Sequence, residues 1–292
     1  MSKPLPTTAL AVTLGVVALL WGGSFVLMKT LTASFQPFTL SALRAGAAAG
    51  ALALFFLATR RSLRPTPDDT RAGGVMGTLH GWIPNALVAF AVTGLGAGLA
   101  AMLQSAAPLA TALIAHVVLP SERIDGRRWL GVGVGFLGVA TLIGPEALSG
   151  SRASLLPVAA MGGVALSYAI GNVWVRRYAA TPPERLALGQ QAFGGLCALA
   201  LALLFEPRED WRAVATLWPQ ILVFGALGSA LPFTLFMWMI QRAGPVKATM
   251  VGYLVPLVAA TLATLTLGET LAPRQIVGGL VILAGVWMTT RR

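Results

Sequence analysis

The chain has 292 residues, 56% of them hydrophobic and 11% charged, with 21 Lys and Arg against 10 Asp and Glu. Soluble domains carry about 25% charged residues, so a water-facing fold is excluded. A basic nucleic-acid-binding domain is excluded with it, since such domains interleave Lys and Arg with polar and aromatic neighbours, whereas here they separate long apolar runs. One cysteine, Cys197, permits neither an internal disulfide nor a cysteine metal cluster.

The runs between charges set out the elements. Residues 4–28 are uncharged, and their apolar part, 9–28, exceeds the roughly 7–15-residue core of a signal peptide. Lys29 follows in place of a small-residue cleavage site, so the run reads as a retained first helix. Residues 36–58 are apolar except for Arg44. Residues 72–121 hold no Asp, Glu, Lys or Arg for 50 positions. A membrane-spanning helix needs about 20, so this stretch holds two spans, divided at the glycine-rich turn 93–98. Spans follow at 129–145, 153–175, 186–205, 213–241, 248–268 and 275–290. A β-barrel would show alternating segments of about 10 residues, and these runs do not alternate. The expected fold is an all-α integral membrane protein of ten transmembrane helices.

With the N-terminus placed in the cytoplasm, fifteen of the 21 positive charges fall on the cytoplasmic side and five on the other, with Arg44 inside a span. Positive loops stay inside during insertion, so both termini are expected in the cytoplasm. The sequence also repeats. A shift of 148 places Pro84 on Pro232, Met102 on Met250 and Pro108 on Pro256. A shift of 147 places Trp21 on Tyr168, Lys29 on Arg176, Glu122 on Glu269 and Arg127 on Arg274. Each half, 1–148 and 149–292, holds five helices, and an odd number forces the second half to insert upside down. Two inverted five-helix repeats place a substrate site near the midplane between them, the architecture of a transporter.

Trp21-Gly22-Gly23-Ser24-Phe25 late in the first helix, Arg44 in the second, and the spacings Pro108 to Glu122 and Pro256 to Glu269 carry a family resemblance. On them the chain resembles the drug/metabolite transporter superfamily, and within it the EamA-type ten-helix members, over essentially its whole length. The resemblance implies a small-molecule transporter, and overall pattern is nearest to the amino-acid exporters of bacterial inner membranes.

Gly133, Gly135 and Gly138 satisfy the spacing of a dinucleotide fingerprint, but no strand precedes them, and they read as a helix-packing face with Gly131. No hydrolase or metal-site motif occurs, and His80 and His116 have no neighbouring carboxylate, so neither an enzyme nor a cofactor or metal site is expected.

The candidate substrate residues are the polar and aromatic groups inside spans, because polarity is costly in lipid and tends to face a cavity. They are Trp21, Ser24, Arg44, His80, Gln104, Tyr168, Asn172 and Tyr253. Pro84, Pro108, Pro232 and Pro256 are candidate helix breaks, each freeing the carbonyl four residues earlier. Arg44 lies about 12 Å into its helix. It reads either as the anchor of a substrate carboxylate or as a structural group bonded to freed carbonyls or stacked on an aromatic ring. All ten acids fall in loops or at helix ends, leaving His80 as the one candidate proton relay. The expectation is a facilitator or weakly coupled exporter of small amphipathic solutes, amino acids foremost. Its partners would be the solute and the lipid bilayer, with no nucleic acid, and one chain would suffice as a monomer. A broad-specificity drug exporter is the alternative. A nucleotide-sugar exchanger is a weaker one, since phosphate charge would need several buried cations.

Overall fold

A computed structural model describes residues 6–118, 124–144, 152–174, 181–243, 248 and 250–290. Among them it is all-helical. The ten helices are α1 (Thr7–Leu31), α2 (Pro37–Ala58), α3 (Pro67–Gly94), α4 (Ala97–Val118), α5 (Gly126–Ile143), α6 (Arg152–Trp174), α7 (Pro183–Phe205), α8 (Trp211–Met239), α9 (Val251–Leu267) and α10 (Pro273–Thr290). Leu204 and Leu265, at 74% and 76% exposure, typify an outer surface suited to lipid. Seven helices are long and apolar enough to cross a bilayer, while α5, α9 and α10, at 18, 17 and 18 residues, sit at the lower limit.

Local sequence explains where the helices start and stop. Pro37 and Pro183 occupy first-turn positions, where no N–H is missed. Thr66 and Asp69 form a reciprocal capping box at the start of α3, and Asp125 caps α5 through the Arg128 amide. α9 ends on Gly268 in the left-handed conformation (φ 65°), which glycine adopts without a Cβ penalty.

Other helix ends are completed from afar. The first amides of α2, those of Phe38 and Thr39, each donate to the Glu206 carboxylate at 2.6 Å. Those of α4, on Ala97 and Gly98, donate to Glu269 at 2.7 and 3.2 Å. Lys29 Nζ donates to the carbonyls of Val92, Thr93 and Leu95, at the C-terminal end of α3. Each charge sits at the helix end whose dipole it offsets. Glu269 and Lys29 thus bind the α3–α4 turn to α9 and α1. Gly96 is required there, because a Cβ would lie 2.5–3.0 Å from the Glu269 carboxylate. Glu122 and Arg176, their counterparts by sequence shift, lie outside the described residues.

The helix pairing has the symmetry of an inverted repeat, in which each helix corresponds to the one five places on. α2 packs on α7, α4 on α9 and α5 on α10. The α1–α9 contact is mirrored by α6–α4, and the contacts of α3 with α6 and α7 by those of α8 with α1 and α2. α5 and α10 meet along glycines: Gly131 and Gly138 face Gly285 and Gly278, and Gly285 lies against the backbone of Gly135, whose own side-chain position faces Leu109 of α4. Gly133 points into open space, so the fingerprint-like string is a packing face in which that glycine takes no part.

Both α3 and α8 are broken midway, and at matching positions. A π-helical turn spans Thr78–Trp82 in α3 and another spans Ala226–Ala230 in α8, each ending two residues before its proline, Pro84 or Pro232. Proline removes one backbone bond and crowds the preceding turn, and the wider turn absorbs the crowding.

Candidate functional site

A cavity of about 230 Å³ lies between the halves, lined by α1–α4 and α6–α9. Of the residues singled out from sequence, Trp21, Ser24, Arg44, His80, Gln104, Pro108, Tyr168, Asn172 and Pro256 border it. Tyr253 does not: it is partly buried against the core beside the wall formed by Val251, Gly252, Val255 and Pro256. Pro84 and Pro232 act one step away, through the carbonyls they free.

Those two carbonyls are satisfied crosswise between the halves. Arg44 Nη2, from α2, donates to the Gly228 carbonyl of α8 at 2.9 Å. Gln190 Nε2, from α7, donates to the His80 carbonyl of α3 at 2.9 Å. Each acceptor lies four residues before its proline, so in each half a polar side chain from the opposite half replaces the missing backbone amide. Ser167 Oγ adds a bond to the Leu79 carbonyl of the same α3 break.

Arg44 is held further by Nε to Ser229 Oγ at 2.5 Å and Nη1 to Asn85 Oδ1 at 3.3 Å, and its guanidinium lies 4.5 Å above the Phe224 ring. These bonds occupy three of its five donor hydrogens. Among the described residues no carboxylate borders the cavity, so a single cation faces it without an acidic partner. The structural partners foreseen for Arg44 and its access to the cavity therefore occur together.

The aromatic residues form two matched walls. Trp21 of α1 packs against Phe236 of α8 with ring centroids 5.3 Å apart, and Tyr168 of α6 against His80 of α3 at 5.2 Å. The His80 ring lies against Gly171, where a Cβ would collide with it. Ser24 Oγ donates to the Trp21 carbonyl at 2.7 Å, and Asn172 Nδ2 to Thr111 Oγ1 at 3.3 Å.

Several lining residues were not reached from sequence: Asn85, Gln190, Gln191, Ser229, Phe233 and Phe236. The repeat held a signal for one of them, since 147 residues on from Arg44 stands Gln191. No group of His, Cys, Asp or Glu among the described residues is arranged to hold a metal ion.

Comparison with known proteins agrees with this architecture. The model of the EamA-like transporter family matches twice, over residues 9–144 and 156–291. The Bacillus subtilis transporter YoaV is 25% identical over 277 residues, covering 94% of each chain. The Escherichia coli K12 inner membrane transporter YedA is 25% identical over 93% of this chain and 87% of its own. A Salmonella typhimurium protein described as a probable amino-acid metabolite efflux pump is 25% identical over 93% of this chain and 91% of its own. A solved crystal structure shares the fold, with a TM-score of 0.67 over 98% of this chain and 96% of its own at 18% identity. The chain is a multi-pass membrane transporter and belongs to the EamA-like transporter family.

Proposed function

We propose that the cavity is the substrate site of an exporter of small amphipathic metabolites, amino acids foremost, working by alternating access between halves 1–148 and 149–292. The observation that carries this reading is Arg44: a buried guanidinium with unused donor hydrogens, facing an aromatic-lined space that no described carboxylate borders. A carboxylate ligand supplies the missing opposite charge and takes the free donors in pairs. Lipophilic cations would meet like charge with nothing to offset it, which disfavours the drug exporter. The volume, below the roughly 300–1,000 Å³ of drug-sized pockets, suits a small solute, and one cation is too few for a diphosphate. The name of the Salmonella relative supports the same class. The excess of positive charge in one set of loops supports an orientation with both termini on the cytoplasmic side of a bacterial inner membrane. One chain holds both halves, so a monomer completes the pathway.

The test is transport in proteoliposomes with amino acids, nucleotide sugars and cationic dyes. Amino acids are expected to be carried, and Trp21→Ala or Tyr168→Ala to lower their flux about tenfold, as befits loss of an aromatic wall worth about 1–3 kcal/mol. Dyes carried in preference to amino acids would reverse the assignment, and intact flux in both variants would remove the two aromatics from the site.

The same lining bears on energy coupling. With no carboxylate among the described cavity residues, this site has no acid to load and unload, and flux is expected to persist when the pH gradient is collapsed with an ionophore. Flux that stops on collapse would instead point to a proton carried through His80.

A further inference from the structure

The break in α4 differs from those in α3 and α8. Its two helical segments, Ala97–Gln104 and Ala107–Val118, meet at Ser105 and Ala106. Pro108 has no N–H to give the Gln104 carbonyl. The Leu109 amide, which would serve the Ser105 carbonyl in a regular helix, donates to Ala106 at 2.9 Å instead. Both carbonyls thus lose their regular donor. At the other two breaks Arg44 and Gln190 fill that role, but here no side chain among the described residues does so.

Gln104 and Ser105 both border the cavity. The Gln104 side chain is half-buried, and its carboxamide makes no hydrogen bond among the described residues. Its polar atoms keep accessible surface, unlike the oxygens of Gln190 and Gln191, which are shut inside the protein. The first segment of α4 ends at this point, so the negative end of its dipole lies here as well. An open carboxamide, two carbonyls short of donors and a helix C-terminus together favour a ligand group that is positively charged and donates hydrogen bonds.

We propose that Gln104 is a specificity-determining residue, whose carboxamide oxygen accepts a hydrogen bond from the ammonium group of a zwitterionic solute. The inference rests on the carboxylate role of Arg44 given above. α2 and α4 do not form a packed pair, so Arg44 and Gln104 approach the cavity from separate walls. A free carboxamide can present either its oxygen or its nitrogen, and the carbonyls beside it, which only accept, select a ligand that donates. The repeat sets this acceptor in one half alone. At 148 residues on from Gln104 stands Gly252, which also borders the cavity and has open space where a Cβ would lie. The matched position offers room in place of a hydrogen bond, as the apolar side chain of the same solute requires. Gln104 needs no charge of its own, because the ammonium is already balanced by the carboxylate of the same molecule.

Calorimetric titration of the purified full chain in detergent, with three probes of one aromatic skeleton, tests this. L-phenylalanine carries both groups, 3-phenylpropionate lacks the ammonium, and 2-phenylethylamine lacks the carboxylate. The wild type is expected to bind phenylalanine about tenfold or more tightly than either, as loss of a charge-assisted hydrogen bond implies. Gln104→Leu is expected to bring phenylalanine within about threefold of 3-phenylpropionate while leaving the latter's affinity unchanged. Gln104→Glu, which keeps shape and polarity should the leucine variant fail to fold, is expected to raise 2-phenylethylamine binding about tenfold. A wild-type ratio of phenylalanine to 3-phenylpropionate affinity near one overturns the role of Gln104, as do variants that move neither that ratio nor amine binding. A preference for phenylalanine present in sodium buffer but absent in potassium buffer would assign the acceptors to a metal ion and overturn it too. Failure of the Arg44 reading looks different: 2-phenylethylamine would bind the wild type as tightly as phenylalanine. Binding of none of the three overturns both.

Discussion

Replacing Arg44 with leucine is expected to abolish amino-acid transport, by at least a hundredfold, and also to lower the thermal stability of the protein. The two losses have separate causes. The carboxylate-binding donors disappear from the cavity, and three groups inside the bundle lose their partner at once: the Gly228 carbonyl, Ser229 and Asn85. Leaving a buried polar group unpaired costs about 1–3 kcal/mol. Arg44→Lys separates the causes. Lysine keeps the charge but presents it as a point on a flexible stem and cannot span three acceptors with a planar fork. That variant is expected to fold and to carry substrate at about a tenth of the wild-type rate, one lost transition of about 1.4 kcal/mol. Melting temperature in detergent together with initial rates in proteoliposomes reads both effects. Wild-type rates in Arg44→Leu would show that the cation does not bind substrate, and a wild-type melting temperature that it does not hold α8 to α2.

Gly278→Val is expected to be among the most damaging substitutions away from the cavity. A Cβ at 278 would sit 2.6 Å from the Leu142 amide nitrogen and 2.7 Å from its Cα, both backbone atoms that no rotamer change can move. Facing it along the same seam, a Cβ at Gly138 would meet the Ile282 nitrogen at 2.5 Å. Relief requires α5 and α10 to separate, and overpacking of this kind costs about 1–3 kcal/mol or more. For a chain of this size the melting temperature should fall by up to about 10 °C, with reduced yield of folded protein. Gly133→Val, in the same helix but with nothing within 4 Å of the added carbon, is the control and should melt as the wild type does. Equal losses in the two variants would mean that helix propensity rather than the seam sets the cost.

The spans were legible because a bilayer imposes a coarse rule: about 20 residues without charge. The gaps between Arg and Lys therefore located the helices to within a few residues, and even the α3–α4 turn at Leu95 and Gly96 was marked by its glycines. Pro84 and Pro232 were legible as breaks because the chemistry of proline is local. What takes up the freed carbonyls was not, since Arg44 and Gly228 are 184 residues apart and Gln190 and His80 are 110 apart. The capping roles of Glu206 and Glu269 were hidden for the same reason, although both were placed at helix ends. Gln190 and Gln191 escaped notice because no proline follows them in α7 as Pro108 follows Gln104. Tyr253 shows the converse limit. Its composition suited a binding wall, but in α9 the cavity-facing stripe runs through residues 251, 252, 255 and 256, and position 253 falls off it.

The crossed bonds at the two helix breaks have a kinetic consequence. Arg44 ties the first half to a carbonyl of the second, and Gln190 ties the second to a carbonyl of the first, so a rocking of one half against the other would have to strain or release these ties. In a dry interior each released carbonyl would be stranded, and the two penalties would add to the barrier. With water in the cavity each carbonyl exchanges one partner for another at little net cost. Hydration of the central space would thus act as a lubricant for the rocking proposed above, and a solute that displaces that water without replacing its hydrogen bonds would stall the protein in one orientation.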